Sequence, residues 1–166
     1  LRIQLGAKRD WSALAEKELL PARVLAAAND FLIIDKGEKS SIKIGTNAIY
    51  KNILLGKVVA VSASRSRIEL VTKAGSKIPA KSQKGALGIV ASKGGADNKL
   101  ILQNVTSKET LETGDLILTR AEEEFLPDLL LGKVSEVERQ ESAIFQQAKL
   151  DSPVNPKQLD IIYLIL

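Results

Sequence analysis

The chain has 166 residues, 45% hydrophobic and 27% charged, with a formal net charge of +4. That composition is globular: too apolar for a disordered chain, and without a run near the roughly eighteen apolar residues of a membrane helix. It contains no His, Cys or Met, which excludes imidazole- or thiolate-held metals, iron–sulfur clusters, a thiol nucleophile and a Ser–His–Asp triad.

In chain order, Leu1 and Leu5 have the spacing of one helical turn, and a helix is predicted within Trp11 to Leu20, ended by Pro21. Short runs rich in Val, Ile and Leu then follow one another, separated by Gly, Asn, Asp and Ser, which reads as strands and turns. They are 23–26, 31–34, 48–50, 57–61, 67–71, 77–80, 88–90, 100–102, 115–119, 133–137, 144–145 and 161–166. Pro79 suits an edge position, because it has no N–H for a ladder. The apolar end Ile161–Leu166 is an aggregation hazard if exposed, so it is expected to pair inside a sheet. Strands at this spacing predict an all-β fold of small barrels or sandwiches rather than βαβ units.

An internal repeat organises these strands. Ile42-Lys43-Ile44-Gly45-Thr46 is echoed by Leu111-Glu112-Thr113-Gly114-Asp115, and Leu55-Gly56-Lys57-Val58 by Leu131-Gly132-Lys133-Val134. The two Gly-Lys-Val starts lie 76 residues apart, and Ile68 and Ile144 keep that offset. The expectation is two small β-barrel subdomains related by internal duplication. Gly37, Gly45, Gly56, Gly88, Gly114 and Gly132 are read as turn or close-approach positions, and Asp115 as a turn residue bonding nearby backbone amides.

These landmarks, in this order, resemble the rod shape-determining MreC family. Pro21-Ala22-Arg23-Val24 leads into Ile33-Ile34-Asp35-Lys36-Gly37, then Ile42-Lys43-Ile44-Gly45 and Leu55-Gly56-Lys57-Val58. Ser66–Thr72, Ile78-Pro79-Ala80, Gly85–Val90, Gly114–Thr119, Phe125-Leu126-Pro127 and Leu131-Gly132-Lys133-Val134 complete the series. Two places depart from the family pattern. Arg120-Ala121-Glu122-Glu123-Glu124 stands where a Ser-Gly pair is usual, and Asp128–Leu131 lacks a usual Gly.

The resemblance implies a non-catalytic scaffold of bacterial cell-wall elongation at the cytoplasmic (inner) membrane, with this region on the extracytoplasmic, periplasmic side. Implied partners are a second copy of itself, a class B penicillin-binding transpeptidase, RodA, MreD and MreB. The membrane would be reached through an N-terminal helix absent from this chain and followed by a coiled coil, with Leu1 just after that coiled coil, as the Met-free start suggests. Residues 1–20 are then a linker or short helical remnant after that coiled coil, 21–84 the first barrel unit and 85–166 the second, with strand exchange between units left open. A native chain carrying no membrane segment upstream of Leu1 would remove this reading.

Candidate sites follow from exposure and charge. No catalytic, cofactor-binding or metal-binding residue is assigned, and no cofactor is expected. A Ser–Lys dyad among Ser40, Ser41, Ser62, Ser64 and Ser66 is allowed by composition, but nothing positions one. Lys93–Lys99 is Gly-rich without phosphate-loop spacing, and Glu122-Glu123-Glu124 reads as a hydrated loop. The apolar run with Phe125, Leu126, Leu129 and Leu130 either enters the core, the preferred reading, or forms a partner-binding patch. Charge is uneven: net +4 over residues 1–60, +6 over 61–110 and −6 over 111–166. Arg65, Arg67, Lys73 and Lys77 in the basic stretch are the second candidate surface, toward an acidic partner, anionic lipid or a neighbouring copy. With pI ≈ 9.3, a nucleic-acid-binding barrel is the alternative function, although few aromatics interleave with the cations. Absence of DNA or RNA binding at moderate salt would eliminate it.

Overall fold

Alternation decides which face of each strand is buried. In Lys77–Ser82 the residues Ile78, Ala80 and Ser82 are buried while Lys77 is exposed, and in Leu87–Ser92 Gly88, Val90 and Ser92 are buried while Leu87 is exposed. Period two is the signature of a sheet with one dry face. The computed structural model describes residues 18–94, 99–122, 124–139 and 143–166. They form β1 (Leu19–Ala27), β2 (Phe31–Ile34), β3 (Asn47–Tyr50), β4 (Ile53–Val61), β5 (Ser66–Leu70) and β6 (Lys77–Ser82). These are followed by β7 (Leu87–Ser92), β8 (Leu100–Thr106), β9 (Leu116–Thr119), β10 (Leu130–Glu138), β11 (Phe145–Asp151) and β12 (Ile161–Ile165). The fold is all-β, and every strand overlaps a run expected from the sequence.

The antiparallel pairings make two closed rings. One runs β1–β2–β5–β4–β3–β12 and back to β1. The other runs β7–β8–β11–β10–β9–β6 and back to β7. Closure leaves neither barrel a free sheet edge. In the first, Leu32, Ile34, Ile49, Leu54 and Ile68 are fully buried; in the second, Leu102, Leu111, Ile117, Leu129 and Leu131 are. Each such side chain contributes about 1.5–3 kcal/mol on leaving water.

The chain divides into compact units at 70/71 and again at 154/155, so residues 71–154 form the second unit and 155–166 return to the first. The sequence boundary at 84/85 differs in two ways. β6 belongs to the second barrel, where it pairs with β7 and β9. β12 belongs to the first, where Leu19 faces Ile165 and Tyr163 faces Ile49. Closing a ring requires a strand between β1 and β3, and a reading along the chain cannot supply a partner more than a hundred residues away. Three further expectations change. Leu19 and Leu20 start β1 rather than ending a helix, while the expected helix before them and the Leu1–Leu5 turn lie outside the described residues. Pro79 is not on an edge strand: it sits one residue beyond the β6–β9 ladder, where its carbonyl accepts the Arg120 N–H. Ile68 and Ile144 are not counterparts, since Ile68 is buried opposite Val58 whereas Ile144 is 74% exposed ahead of β11. Leu150, opposite Val134, takes the equivalent place.

Candidate functional site

The best-matched features of the two barrels are the turns that enter β3 and β9. Gly45 and Gly114 both have φ +95, a region that a side chain strains and Gly does not. The Gly45 N–H donates to the Val58 carbonyl at 2.8 Å and the Gly114 N–H to the Val134 carbonyl at 2.8 Å. Val58 N–H returns a bond to Thr46, and Val134 N–H returns one to Asp115. The residue after the glycine is where the turns diverge. Asp115 is buried, accepts the Glu112 N–H at 2.9 Å and meets the Lys84 ammonium at 3.1 Å, and Lys84 also meets Glu112 at 3.1 Å. Hydrogen bonding to Asp115 first, then to Glu112, holds the Lys84 pKa above its ordinary value. Thr46 instead bonds the Lys43 carbonyl at 2.7 Å, and the tip residue Ile44 is 72% exposed.

The remaining glycines serve close approach. A Cβ on Gly37 would stand 2.2 Å from the Ser62 carbonyl oxygen, on Gly56 2.0 Å from that of Glu69, on Gly88 2.7 Å from that of Gln103, and on Gly132 2.9 Å from that of Asp151.

The apolar run is a loop of the second barrel turned inward. Phe125 and Leu129 are buried, while Leu126 and Leu130 are half-buried. Thr119, itself 0% exposed, donates its hydroxyl to the Leu126 carbonyl at 2.6 Å and accepts the Leu129 N–H at 2.9 Å. Asp128, in the stretch lacking a glycine, has φ 65. Asp tolerates this left-handed conformation better than most side chains. The run therefore sends Phe125 and Leu129 into the core and leaves Leu126 and Leu130 partly exposed.

The basic stretch is divided between the two units. Arg65 and Arg67 belong to the first unit, Lys73 and Lys77 to the second, and all four are exposed. The Arg67 guanidinium lies 4.2 Å from the Phe31 ring centroid, so that aromatic face is occupied. In the second unit, lysines from the basic stretch meet acids from the acidic third: Lys81 with Asp128, Lys84 with Glu112 and Asp115, and Lys99 with Asp151. Residues 71–154 carry 11 basic and 12 acidic side chains. The imbalance seen along the chain cancels within one barrel.

Sequence reasoning missed a cleft of about 680 Å³ on the second barrel. It is bordered by Gln103 and Asn104 of β8, Glu136 and Glu138 of β10, and Phe145 and Gln147 of β11. Gln146 anchors its floor. It is buried, accepts from Arg139 Nε at 2.7 Å, and donates to the Thr106 and Glu109 carbonyls at 3.0 and 2.8 Å. Arg139 also donates to the Leu111 carbonyl. Asn104 has φ 61, beside the register shift between β8 and β11. No group of three or more potential metal ligands and no membrane-length apolar helix occurs among the described residues. Glu123 and most of the Gly-rich loop before β8 lie outside those residues.

Comparison with known proteins places this architecture. The family model for the rod shape-determining protein MreC, barrel core, matches residues 22–166. The chain belongs to the MreC family. The cell shape-determining MreC of Haemophilus influenzae is 29% identical over 102 residues, which is 59% of this chain and 29% of that protein. The Escherichia coli MreC is 24% identical over 108 residues, 63% of this chain and 29% of its own length. Both matches therefore span less than a third of the relative. Among solved structures, MreC from Pseudomonas aeruginosa superposes with a TM-score of 0.83 at 21% identity, covering 90% of this chain and 99% of that one. A structure of a complex between penicillin-binding protein PBP2 and MreC from Helicobacter pylori matches with a TM-score of 0.68 at 13% identity, covering 90% and 98%. Another is the major periplasmic domain of the cell shape-determining filament MreC, with a TM-score of 0.72 at 20% identity and coverage of 90% and 95%.

Proposed function

We propose that this chain is the barrel region of a non-catalytic scaffold of bacterial cell-wall elongation, which maintains cell shape by self-association and by holding wall-synthesis proteins. The observation that carries this reading is the family match across residues 22–166. Support for a penicillin-binding partner comes from the likeness to the MreC seen with PBP2, and support for self-association from the likeness to the filament-forming one. A sequence without His or Cys suits work done by contact. The barrels lie on the periplasmic side of the cytoplasmic membrane in this reading, reached through an upstream anchor, with RodA, MreD and MreB as further members of the assembly. The shared order of strand pairings and the paired Gly45 and Gly114 turns support an origin by duplication.

The test uses the full-length protein in a rod-shaped host depleted of its own MreC, together with co-purification of the host's class B transpeptidase. Restored rods and a retained transpeptidase are expected. Spherical cells together with no retained transpeptidase would sink the proposal.

A further inference from the structure

We propose that the cleft on the second barrel binds an uncharged oligosaccharide. Barrel closure does not require the wall that forms the cleft. Val58 opposite Ile68 corresponds to Val134 opposite Leu150. From that shared point β5 ends two residues later toward its start, at Ser66, whereas β11 runs back five, to Phe145. The first barrel closes off here: the Glu38 and Lys39 N–H groups bond the Ser62 and Ala63 carbonyls at 2.9 and 3.1 Å. The second barrel instead builds an extension, and buried Gln146 pins it with three hydrogen bonds.

The lining chemistry selects the ligand class. Phe145 is 52% exposed, an aromatic face open to the C–H surface of a sugar ring. The amides of Gln103 and Asn104 make no side-chain bond among the described residues, and an amide both donates and accepts, as hydroxyl and acetamido groups require. The charged groups at the cleft are partnered within the barrel. Lys149 lies 3.4 Å from Glu136 and 3.5 Å from Glu138, Gln147 donates to Glu138 at 2.6 Å, and Arg139 is held by Gln146. Both carboxylates at the cleft are thus already partnered and neither is free to hold a cationic ligand. The size lies in the range of small-ligand clefts, about 300–1,000 Å³, and the open side admits a chain that continues beyond it.

The probe is a soluble β-1,4-linked tetramer of N-acetylglucosamine, titrated into the protein and followed by amide NMR. Expected are saturable shifts centred on Gln103, Asn104, Glu138 and Gln147, unchanged between low and high salt because an uncharged ligand releases no counterions. Phe145→Ala weakens binding about tenfold or more, and Asn104→Gly, which keeps the left-handed backbone while deleting the amide, weakens it too. Both variants keep the wild-type thermal midpoint, and Arg67→Ala on the first barrel binds as the wild type does. Absence of saturable shifts at millimolar sugar, shifts that Phe145→Ala leaves intact, or affinity that collapses with salt would each overturn the assignment. None of these results bears on transpeptidase binding, so this proposal and the scaffold reading fail separately.

Discussion

The two barrels share one order of strand pairing but differ in what is built around it. The first joins β3 to β4 by a tight turn in which Lys51 has φ 55, and it is closed by a strand from the far end of the chain. The second joins β9 to β10 through a loop that Thr119 ties down, closes with its own contiguous strands, and extends its wall into a cleft. A conserved ring of backbone hydrogen bonds thus tolerates very different connections, because closure depends on ladder geometry while the connections lie outside the ladder.

That contrast can be tested by breaking each barrel at its own weak point. The largest effect is expected from deleting 161–166, which removes buried Ile162 and Leu164 and leaves β1 and β3 unpaired along that side. Hydrogen exchange should show lost protection in β1–β5 with protection retained in β6–β11; uniform loss in both would mean that the rings do not fold as separate units. Next come the matched glycines. Gly56→Ala, whose Cβ would lie 2.0 Å from a backbone oxygen, is expected to cost about 3 kcal/mol or more in urea unfolding. Gly132→Ala, at 2.9 Å, should cost less, about 1–2 kcal/mol. Equal losses would show that the first barrel relaxes more easily than its geometry implies.

Smaller again, Thr119→Val leaves the Leu129 N–H and the Leu126 carbonyl without the hydroxyl and should cost about 1–3 kcal/mol. The corresponding Tyr50→Phe should change stability by under about 0.5 kcal/mol. The smallest effect concerns pH. Lys84 has a folded pKa above its unfolded value, so its contribution is complete below the ordinary lysine range and lost as pH rises through the raised value. Glu138 is lowered, chiefly by the Gln147 hydrogen bond, so its contribution is present above the ordinary glutamate range and lost as pH falls through the lowered value. Lys84 is exposed and Glu138 half-buried, so salt should weaken both effects. Lys84→Met should flatten the alkaline limb of a thermal-midpoint profile; a limb left unchanged would show that Lys84 does not set it.

Much of the fold was legible in the residues themselves. Period-two alternation and Gly-Asn-Asp punctuation are local signals, and they located the described strands except most of β11, which the expected run met only at Phe145. The matched turns at Gly45 and Gly114 were legible because a positive φ demands a particular residue. Pairing partners were not legible, since nothing in Ile161–Ile165 names Leu19–Arg23 as its neighbour. The 76-residue offset held from Gly56 and Gly132 to Val58 and Val134 and then misled at Ile144, because the longer hairpin of the second barrel shifts the register. The acidic third and the basic stretch looked like separate surfaces until the fold set Lys81 beside Asp128 and Lys84 beside Asp115. The cleft was invisible for the same reason: Asn104 and Phe145 are ordinary at their own positions and meaningful only across a bulged strand pair.

The return of β12 to the first barrel sets a timetable for the growing chain. Leu19 pairs with Ile165, so a ring begun with the earliest strand is completed only by the last. Until Ile161–Ile165 emerge, β1 and β3 each present an unpaired side, while residues 71–154 already contain every strand of the second ring. Folding that inner ring first draws Leu70 and Asn155 toward fixed positions and shortens the loop that β12 must close, lowering its entropic cost. An inner ring that folds first thereby eases the closure of the one that began before it.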